Sequence, residues 1–300
     1  MTLPRRTLFL VASSLAAAAV VPALASPQRF PMPKSTQWAE ANGESLRYEL
    51  SGNGPRTVVL LHEMTASLES WDAIAPVLAK RNRVLRYDLR GFGLSERIQG
   101  NITLDDEVQD LRALLQVLGI GGKVTLIGAA IGGAIALLYA ATYPNQVDGV
   151  IAISPAAYLT PQPDRLKTSM NLTAPGPAST ANISGANDPA FPAVLQKAYP
   201  DRYARYLAIT RTGASGGLPS TRAVYSFGFA AVLPKIKCPV LIIATTLWIR
   251  PVSSVQALAD AIPKGRMVAV KTCHFATIAT PELLIPILSG FLGDENASGS

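Results

Sequence analysis

The feature that most constrains the fold is a short, glycine-framed segment between a strand-like run and a helix-like run. Residues 123–127 have the pattern of a strand, and Gly128-Ala129-Ala130-Ile131-Gly132 follows directly. The residues after Gly132 are small and then follow a helical apolar pattern that ends near Pro144. Small residues at such a turn allow a helix to pack closely against a strand, so the segment predicts an α/β protein.

The same five residues have the frame of a nucleophile elbow. That motif, Gly-x-Ser-x-Gly, is a sharp strand-to-helix turn that lifts a serine hydroxyl above the sheet. Ala130 occupies the serine position, so the frame is present and the attacking atom is absent. A small-residue turn is a weak signal by itself, and an ordinary strand-to-helix turn is the alternative.

Further segments stand in a fixed order around this turn. A buried-strand run over 57–61 ends in His62-Glu63, and a second strand-like run is followed by Asp88-Leu89-Arg90-Gly91-Phe92-Gly93-Leu94-Ser95. Later strand-like runs cover 147–154, 240–245 and 267–271, and the last of them precedes Cys273-His274-Phe275. Together these segments resemble the α/β-hydrolase superfamily, particularly its enol-lactonases and small-ester hydrolases, over about residues 37–293.

This resemblance implies an α/β-hydrolase fold, in which helices flank a mostly parallel central sheet. Residues 26–300 would form this single domain, with a cap inserted at about 155–235. A helix is predicted around 193–210 in that insertion. The aromatic residues of the insertion either line an apolar pocket or pack the cap onto the body; they are Tyr199, Tyr203, Tyr206, Tyr225, Phe227 and Phe229.

The resemblance also implies that His274 is a general base, because the family's histidine lies after the last strand and reaches the elbow. Imidazole exchanges protons near neutral pH, although a lone histidine can also be purely structural. The triad acid would stand about four residues before Pro251, at Leu247 or, with a slip of one residue, Trp248. Neither side chain is a carboxylate. The alternative acid position, after the preceding strand, offers nothing before Asp164.

Glu63 is a further departure, because members of this superfamily usually carry His-Gly where this chain has His62-Glu63. A carboxylate beside the oxyanion site would repel the developing negative charge unless a raised pKa kept it protonated. Glu63 therefore has two interpretations. It either takes over acid/base work with His274, or it points sideways and shapes the loop through local hydrogen bonds.

The predicted catalytic positions are thus His274, Glu63 and the substituted Ala130. Ligand contacts are expected from the residues around them: His62, Met64, Ala129, Ile131, Trp248 and Phe275. A second group is predicted to shape a turn and to take no part in chemistry: Asp88, Arg90, Gly91, Gly93 and Ser95. The two histidines and scattered acids lack the spacing of metal ligands, so neither a metal nor a cofactor is predicted.

Residues 1–25 are predicted to be a cleavable export signal. Arg5-Arg6 precedes an apolar stretch, and Ala23-Leu24-Ala25 gives a small-residue cleavage pattern. Twin arginines indicate the bacterial route for folded proteins, so the mature chain is predicted to be periplasmic. An uncleaved anchor is the alternative, but the apolar run is shorter than the span of about 20 residues that a membrane requires. In that compartment Cys238 and Cys273 could form a disulfide.

Two classes of function remain open, both with a small-molecule partner. One is a hydrolase or lyase of small esters, lactones or related carbonyl compounds that acts without a serine nucleophile, through His274 with or without Glu63. The other is a catalytically inactive relative that binds a small apolar ligand. The net charge of +7 is modest and no nucleic-acid motif accompanies it, so neither a nucleic-acid partner nor stable membrane insertion after processing is predicted.

Overall fold

The structure is a computed structural model that describes residues 37–172, 191–210, 216–247 and 250–293. These residues belong to one compact unit, which runs over Ser35–Ser300. The predicted export signal and Trp248 lie outside the described residues.

Strands and helices alternate through most of the chain. The strands are β1 (Gln37–Ala41), β2 (Glu44–Ser51), β3 (Thr57–Leu61), β4 (Arg83–Tyr87), β5 (Val124–Ala129), β6 (Val147–Ile153), β7 (Val240–Thr245) and β8 (Gly265–Val270). The helices are α1 (Ala75–Leu78), α2 (Leu104–Val117), α3 (Ile131–Thr142), α4 (Pro163–Leu172), α5 (Ala193–Ala198), α6 (Pro200–Thr210), α7 (Gly217–Ser226), α8 (Val252–Asp260), α9 (Ala276–Ala279) and α10 (Pro281–Leu292). Short 3₁₀ turns cover Leu68–Trp71 and Leu233–Lys235.

The eight strands form one sheet in the order β1-β2-β4-β3-β5-β6-β7-β8. The pairs β1–β2 and β2–β4 are antiparallel, and the remaining pairs are parallel. Apolar clusters cover both faces of the sheet: one packs α2, α3 and α8 against it, and the other packs α1 and α10. Central strands are therefore buried on both faces, as the six buried residues of β5 show. The predicted mostly parallel sheet flanked by helices is confirmed.

Parallel strands bring their carboxyl ends to a common edge of the sheet. The loops after β3, β5, β6, β7 and β8 therefore all leave from this edge. They carry Glu63, Ala130, Ser154, Leu247 and His274, respectively. In open α/β sheets, ligands bind at this edge, which makes it the place for a site.

Helices α4 to α7 lie between β6 and β7, within the predicted cap. The helix expected over 193–210 is interrupted: α5 ends at Ala198 and α6 begins at Pro200. Tyr199 has φ −135° and ψ 65° at the break, because the ring of a proline disfavours the helical conformation in the residue before it.

Helix α6 contacts the body through both apolar and charged side chains. Tyr206 packs against Phe275 with ring centroids 4.7 Å apart. On the surface, Arg202 pairs with Glu282 at 2.8 Å and Arg205 pairs with Asp72 at 2.5 Å. Tyr206 and Phe229 are buried in packing, and Tyr203 stacks on Tyr206 with centroids 5.9 Å apart. The Tyr206–Phe275 contact and the two ion pairs join α6 to the body.

One buried acid in α2 is held at an energetic cost. Glu107 is fully buried, and within the described part of the chain neither of its carboxyl oxygens has a hydrogen-bond partner. Burial raises the pKa of Glu107 well above its ordinary value, and the nearby negative charge of Asp110 raises it further. The contribution of Glu107 to the free energy of unfolding is therefore fully present at low pH, where the carboxyl group is protonated. It is lost as the pH rises through this raised pKa.

We predict that Glu107→Gln stabilises the protein at alkaline pH, because the amide removes the cost of a buried charge. A gain of about 1–3 kcal/mol is expected at pH 9, with a smaller gain at pH 5. Thermal unfolding of the parent and the variant between pH 5 and pH 9 measures this gain in stability. Asp105→Asn, at an exposed position on the same helix, should give no gain. A variant no more stable than the parent at pH 9 would contradict the assignment.

Candidate active site

The turn between β5 and α3 keeps the shape of a nucleophile elbow. Ala130 has φ 46° and ψ −111°, a combination that is strained for a residue with a Cβ atom. The turn is fixed by hydrogen bonds from Ala130 N–H to Ile153 O at 3.0 Å and from Ala156 N–H to Ala130 O at 2.8 Å. The conformation persists although the side chain is a methyl group.

The two flanking glycines are required by close backbone approach. A Cβ atom at Gly128 would lie 2.1 Å from Gly132 O, and one at Gly132 would lie 2.3 Å from Leu61 O. Such distances are far inside van der Waals contact. The glycine frame therefore lets α3 approach the ends of β3 and β5.

His274 lies directly after β8, in the turn that leads into α9, and part of its surface is exposed. The pKa of His274 is lowered to about 4, chiefly because the surrounding protein withdraws water from the charged form. The positive charge of Arg250 acts in the same direction. His274 is therefore neutral at pH 7 and can accept a proton or a hydrogen bond.

The position of the missing acid holds no carboxylate in the described residues. Leu247 follows β7, and its N–H donates to Thr272 O at 3.0 Å. At the end of β6, Ser154 has φ 42° and accepts a hydrogen bond from the Thr245 hydroxyl at 3.1 Å. Asp164 does not replace the acid, because its side chain is 96% exposed and pairs with Lys167.

Glu63 points toward α9 from the loop after β3. Its carboxyl group is fully buried, and Oε1 accepts a hydrogen bond from the Thr277 hydroxyl at 2.5 Å. Burial raises the pKa of Glu63, while the hydrogen bond from Thr277 opposes this shift. In the described residues, Oε2 of the same carboxyl group is buried and has no hydrogen-bond partner. The hydrogen bond from Thr277 joins the loop after β3 to α9, which begins two residues after His274.

His62 uses both ring nitrogens within the protein. Leu89 N–H donates to His62 Nε2 at 2.9 Å, so Nδ1 carries the proton and donates to Glu63 O at 2.7 Å. The ring is fully buried, and burial lowers its pKa to about 4. Neither ring nitrogen of His62 is therefore free to make the predicted contact with a ligand.

The other residues predicted to contact a ligand lie around the same edge. Ala129 and Ile131 are buried on either side of the elbow, and Phe275 is buried against the cap. Met64 is half-buried, and its Sδ accepts a hydrogen bond from the Thr221 hydroxyl of α7 at 3.2 Å. Trp248 is outside the described residues.

The segment after β4 is organised by a buried carboxylate. Asp88 accepts hydrogen bonds from Leu68 N–H at 2.7 Å and Leu94 N–H at 2.8 Å, and pairs with Arg47 at 3.1 Å. Arg90 pairs with Asp110 in the same region. These contacts give Asp88 and Arg90 the structural role that the sequence suggested.

The two cysteines are separate, buried thiols. Burial raises the pKa of Cys238 to about 11 and that of Cys273 to about 12, so both stay protonated at neutral pH. The disulfide considered from sequence is not formed. In the described residues, no group of three or more His, Cys, Asp or Glu side chains is arranged to hold a metal ion.

Sequence reasoning overlooked Arg250, the residue just before Pro251 in the loop where the acid was sought. Its side chain is buried, and its charge acts on His274. The sequence does place this cation in the short segment where the acid was expected. The burial of Arg250, which makes its charge important, is visible only in the fold.

Comparison with known proteins agrees with this architecture. A family model described as the alpha/beta hydrolase fold matches residues 56–279. The chain therefore belongs to the α/β-hydrolase family.

Solved structures place the chain near small-molecule hydrolases. The enol-lactonase from Burkholderia xenovorans LB400 superimposes with a TM-score of 0.78 and 25% identity, over 86% of this chain and all of that one. A hydrolase from Pseudomonas aeruginosa PA01 gives a TM-score of 0.77 and 25% identity, over 87% and 99% of the two chains.

Among curated relatives, pimeloyl-[acyl-carrier protein] methyl ester esterase of Edwardsiella ictaluri is 26% identical over 190 residues, which are 63% of this chain and 66% of that protein. An uncharacterized protein of Mycobacterium tuberculosis is 30% identical over 128 residues, 43% of this chain. The chain thus spans between 37% and 66% of the length of these relatives. Among the described helices, none has both the length and the apolar character needed to cross a membrane.

We predict that Thr277→Val destabilises the protein by about 1–3 kcal/mol, because it leaves the buried Glu63 carboxyl group without its hydroxyl donor. The substitution conserves side-chain shape, so packing should change little. Thr277→Ser keeps the hydroxyl and serves as the matched control. Urea unfolding of the three proteins checks this, and equal stability of the parent and the valine variant would contradict a supporting role for the contact.

Proposed function

We propose that this chain adds water to small esters, lactones or related carbonyl compounds without forming a covalent serine intermediate. The observation that carries the proposal is the strained backbone of Ala130, with φ 46° and ψ −111°. The methyl group of Ala130 supplies no reactive atom, so the strained turn serves no purpose for the side chain. The turn does place the first N–H groups of α3 at the carboxyl edge, and strain of this kind is retained where it serves a site.

In this proposal the N-terminus of α3 receives the carbonyl oxygen. The first N–H groups of a helix have no partner within the helix, and they stabilise negative charge that develops on an oxygen. The N–H of Ile131, the first residue of α3, is the donor that the elbow supplies. Glu63 is not the base in this scheme; Oε1 of its buried carboxyl group accepts the hydrogen bond from the Thr277 hydroxyl. It is a positioning residue for the turn that carries His274.

His274 acts on the water. Its neutral imidazole accepts a proton from a water molecule whose oxygen attacks the carbonyl carbon, and a carbon–oxygen bond forms. When the bond to the leaving oxygen breaks, the imidazolium returns the proton to that oxygen. A lyase would use the same imidazole to take a proton from carbon. The names of the relatives support the substrate class, because they include an enol-lactonase and a methyl ester esterase.

A second candidate is a protein that binds a small ligand without converting it. Two observations favour this alternative. The pKa of His274 is lowered to about 4, which makes the imidazole a weak base. The charge acting on it comes from Arg250, whereas a catalytic triad would supply a carboxylate.

The test is the hydrolysis of a panel of small esters, lactones and enol-lactones by the mature protein. We predict that the parent has measurable turnover, that His274→Asn lowers it at least about 100-fold, and that kcat/KM falls only as the pH approaches about 4. The fall at acid pH is expected because the protonated imidazole cannot accept a proton.

Ala130→Ser is the matched control, since it restores only the hydroxyl. Acyl-protein should be detected by mass spectrometry in this variant and not in the parent. A parent that binds panel members, as seen from a higher melting temperature, but does not convert them would favour the binding protein. Turnover unchanged in His274→Asn would refute the proposed role of the imidazole.

The proposal includes export to the periplasm. It is supported by the twin arginines Arg5 and Arg6 and by the small-residue pattern that ends at Ala25. We predict that the chain, expressed in a bacterium with a twin-arginine route, is recovered from the periplasm with Ser26 as its first residue. The double variant Arg5→Lys/Arg6→Lys should remain in the cytoplasm at full length. Full-length parent protein in the membrane fraction would instead indicate an uncleaved anchor.

A further inference from the structure

Arg250 is a buried cation held by neutral groups. Its side chain leaves the loop after β7, and the residue is only 7% exposed. Nη1 donates to Pro155 O, Nη2 donates to Ala157 O at 2.6 Å, and Nε donates to the Ser254 hydroxyl at 3.1 Å. These contacts fix the guanidinium group against the chain that follows β6.

The charge of Arg250 is not neutralised by the part of the protein that the structure describes. No carboxylate in those residues lies within 4.0 Å of its guanidinium group. A second cation adds to the imbalance: Arg250 lies 4.5 Å and Arg165 lies 5.5 Å from the centroid of the Tyr158 ring. Burying a charge without a counter-charge costs several kcal/mol. An anion at this place would remove that cost.

The hydrogen-bonding capacity of Arg250 is also incomplete. A guanidinium group has five N–H donors, and three are used by Pro155, Ala157 and Ser254. Among the residues that the structure describes, no acceptor faces the second N–H on each terminal nitrogen. Two N–H donors on adjacent nitrogens suit the two oxygens of a carboxylate. A phosphate group carries more charge and more acceptor oxygens than one guanidinium group with two remaining donors can satisfy.

We propose that Arg250 anchors the carboxylate of a small organic anion that binds at the carboxyl edge of the sheet, within electrostatic reach of His274. This inference rests on the proposed function for the location of the ligand and narrows its class to carbonyl compounds that also carry a carboxylate. Binding of the anion neutralises the cation that acts on His274. A substrate carboxylate would thus supply the negative charge that the missing triad acid supplies in relatives.

The test compares two probes that differ in charge and little in shape: 4-oxopentanoate and its neutral amide, 4-oxopentanamide. Neither contains an ester, so binding is measured without turnover. Isothermal titration calorimetry of the mature parent should show at least about tenfold tighter binding of the anion. This preference should shrink as salt is added. Equal affinity for the two probes, or no binding of either, would overturn the proposal.

Substitutions at Arg250 then test whether this residue causes the preference for the anionic probe. Arg250→Gln should abolish the preference for the anion while leaving the affinity for the amide unchanged, and Arg250→Lys should retain part of it. Arg81→Gln removes an exposed arginine near the amino end of β4 and should keep the full preference. A folded Arg250→Gln protein that still prefers the anion would place the anchor elsewhere and overturn the proposal. If Arg250→Gln fails to fold, Arg250→Lys provides the test. An undiminished preference of Arg250→Lys for the anion over the amide would contradict bidentate recognition by Arg250 and overturn the proposal.

The outcomes separate this inference from the proposed function. A parent that prefers 4-oxopentanoate but hydrolyses no panel compound would retain the Arg250 anchor and lose the hydrolytic role. A parent that hydrolyses neutral esters and shows no preference for the anion would retain the hydrolytic role and lose the anchor.

Discussion

The close contact between the elbow and the neighbouring strand is the constraint on which the rest of the site depends. Gly132 lies so near the Leu61 carbonyl, and Gly128 so near Gly132, that neither position has room for a Cβ atom. The approach sets α3 against β3 and β5 and leaves Ala130 at a positive φ. The amino end of α3 consequently opens at the edge of the sheet where the loops converge. This backbone arrangement is formed with alanine at the centre of the turn.

The charges around this frame differ from those that a catalytic triad requires. His274 is neutral, and the positive charge of Arg250 lowers its pKa further. Oε1 of Glu63 accepts a hydrogen bond from Thr277, and this contact joins the loop after β3 to α9. A protein with this arrangement would accept a proton weakly when empty and more strongly when an anion has neutralised Arg250. The physical role of the missing acid is thereby transferred to the ligand in our account.

Much of the fold was predictable from sequence because its signals are local. The central strands are apolar on both faces, and the glycine-framed turn identifies the β5–α3 unit. The break at Pro200 was also signalled locally by the proline, although one continuous helix was predicted over 193–210. The candidate site was less predictable. Whether His62 meets a ligand or the backbone of Leu89 depends on tertiary packing, and so does the burial of Arg250. Sequence spacing places such residues at an edge, but it does not orient their side chains.

The most direct test of this account is the pKa of His274 in the ligand-free protein, measured by NMR titration of its imidazole. The chain contains two histidines, so a His274→Asn sample assigns both sets of signals. We predict that His274 titrates near pH 4, because burial and the Arg250 charge both oppose protonation. A pKa of about 6.5 or higher, the range of an exposed or carboxylate-paired histidine, would show that burial and the Arg250 charge do not control the imidazole and would contradict the account.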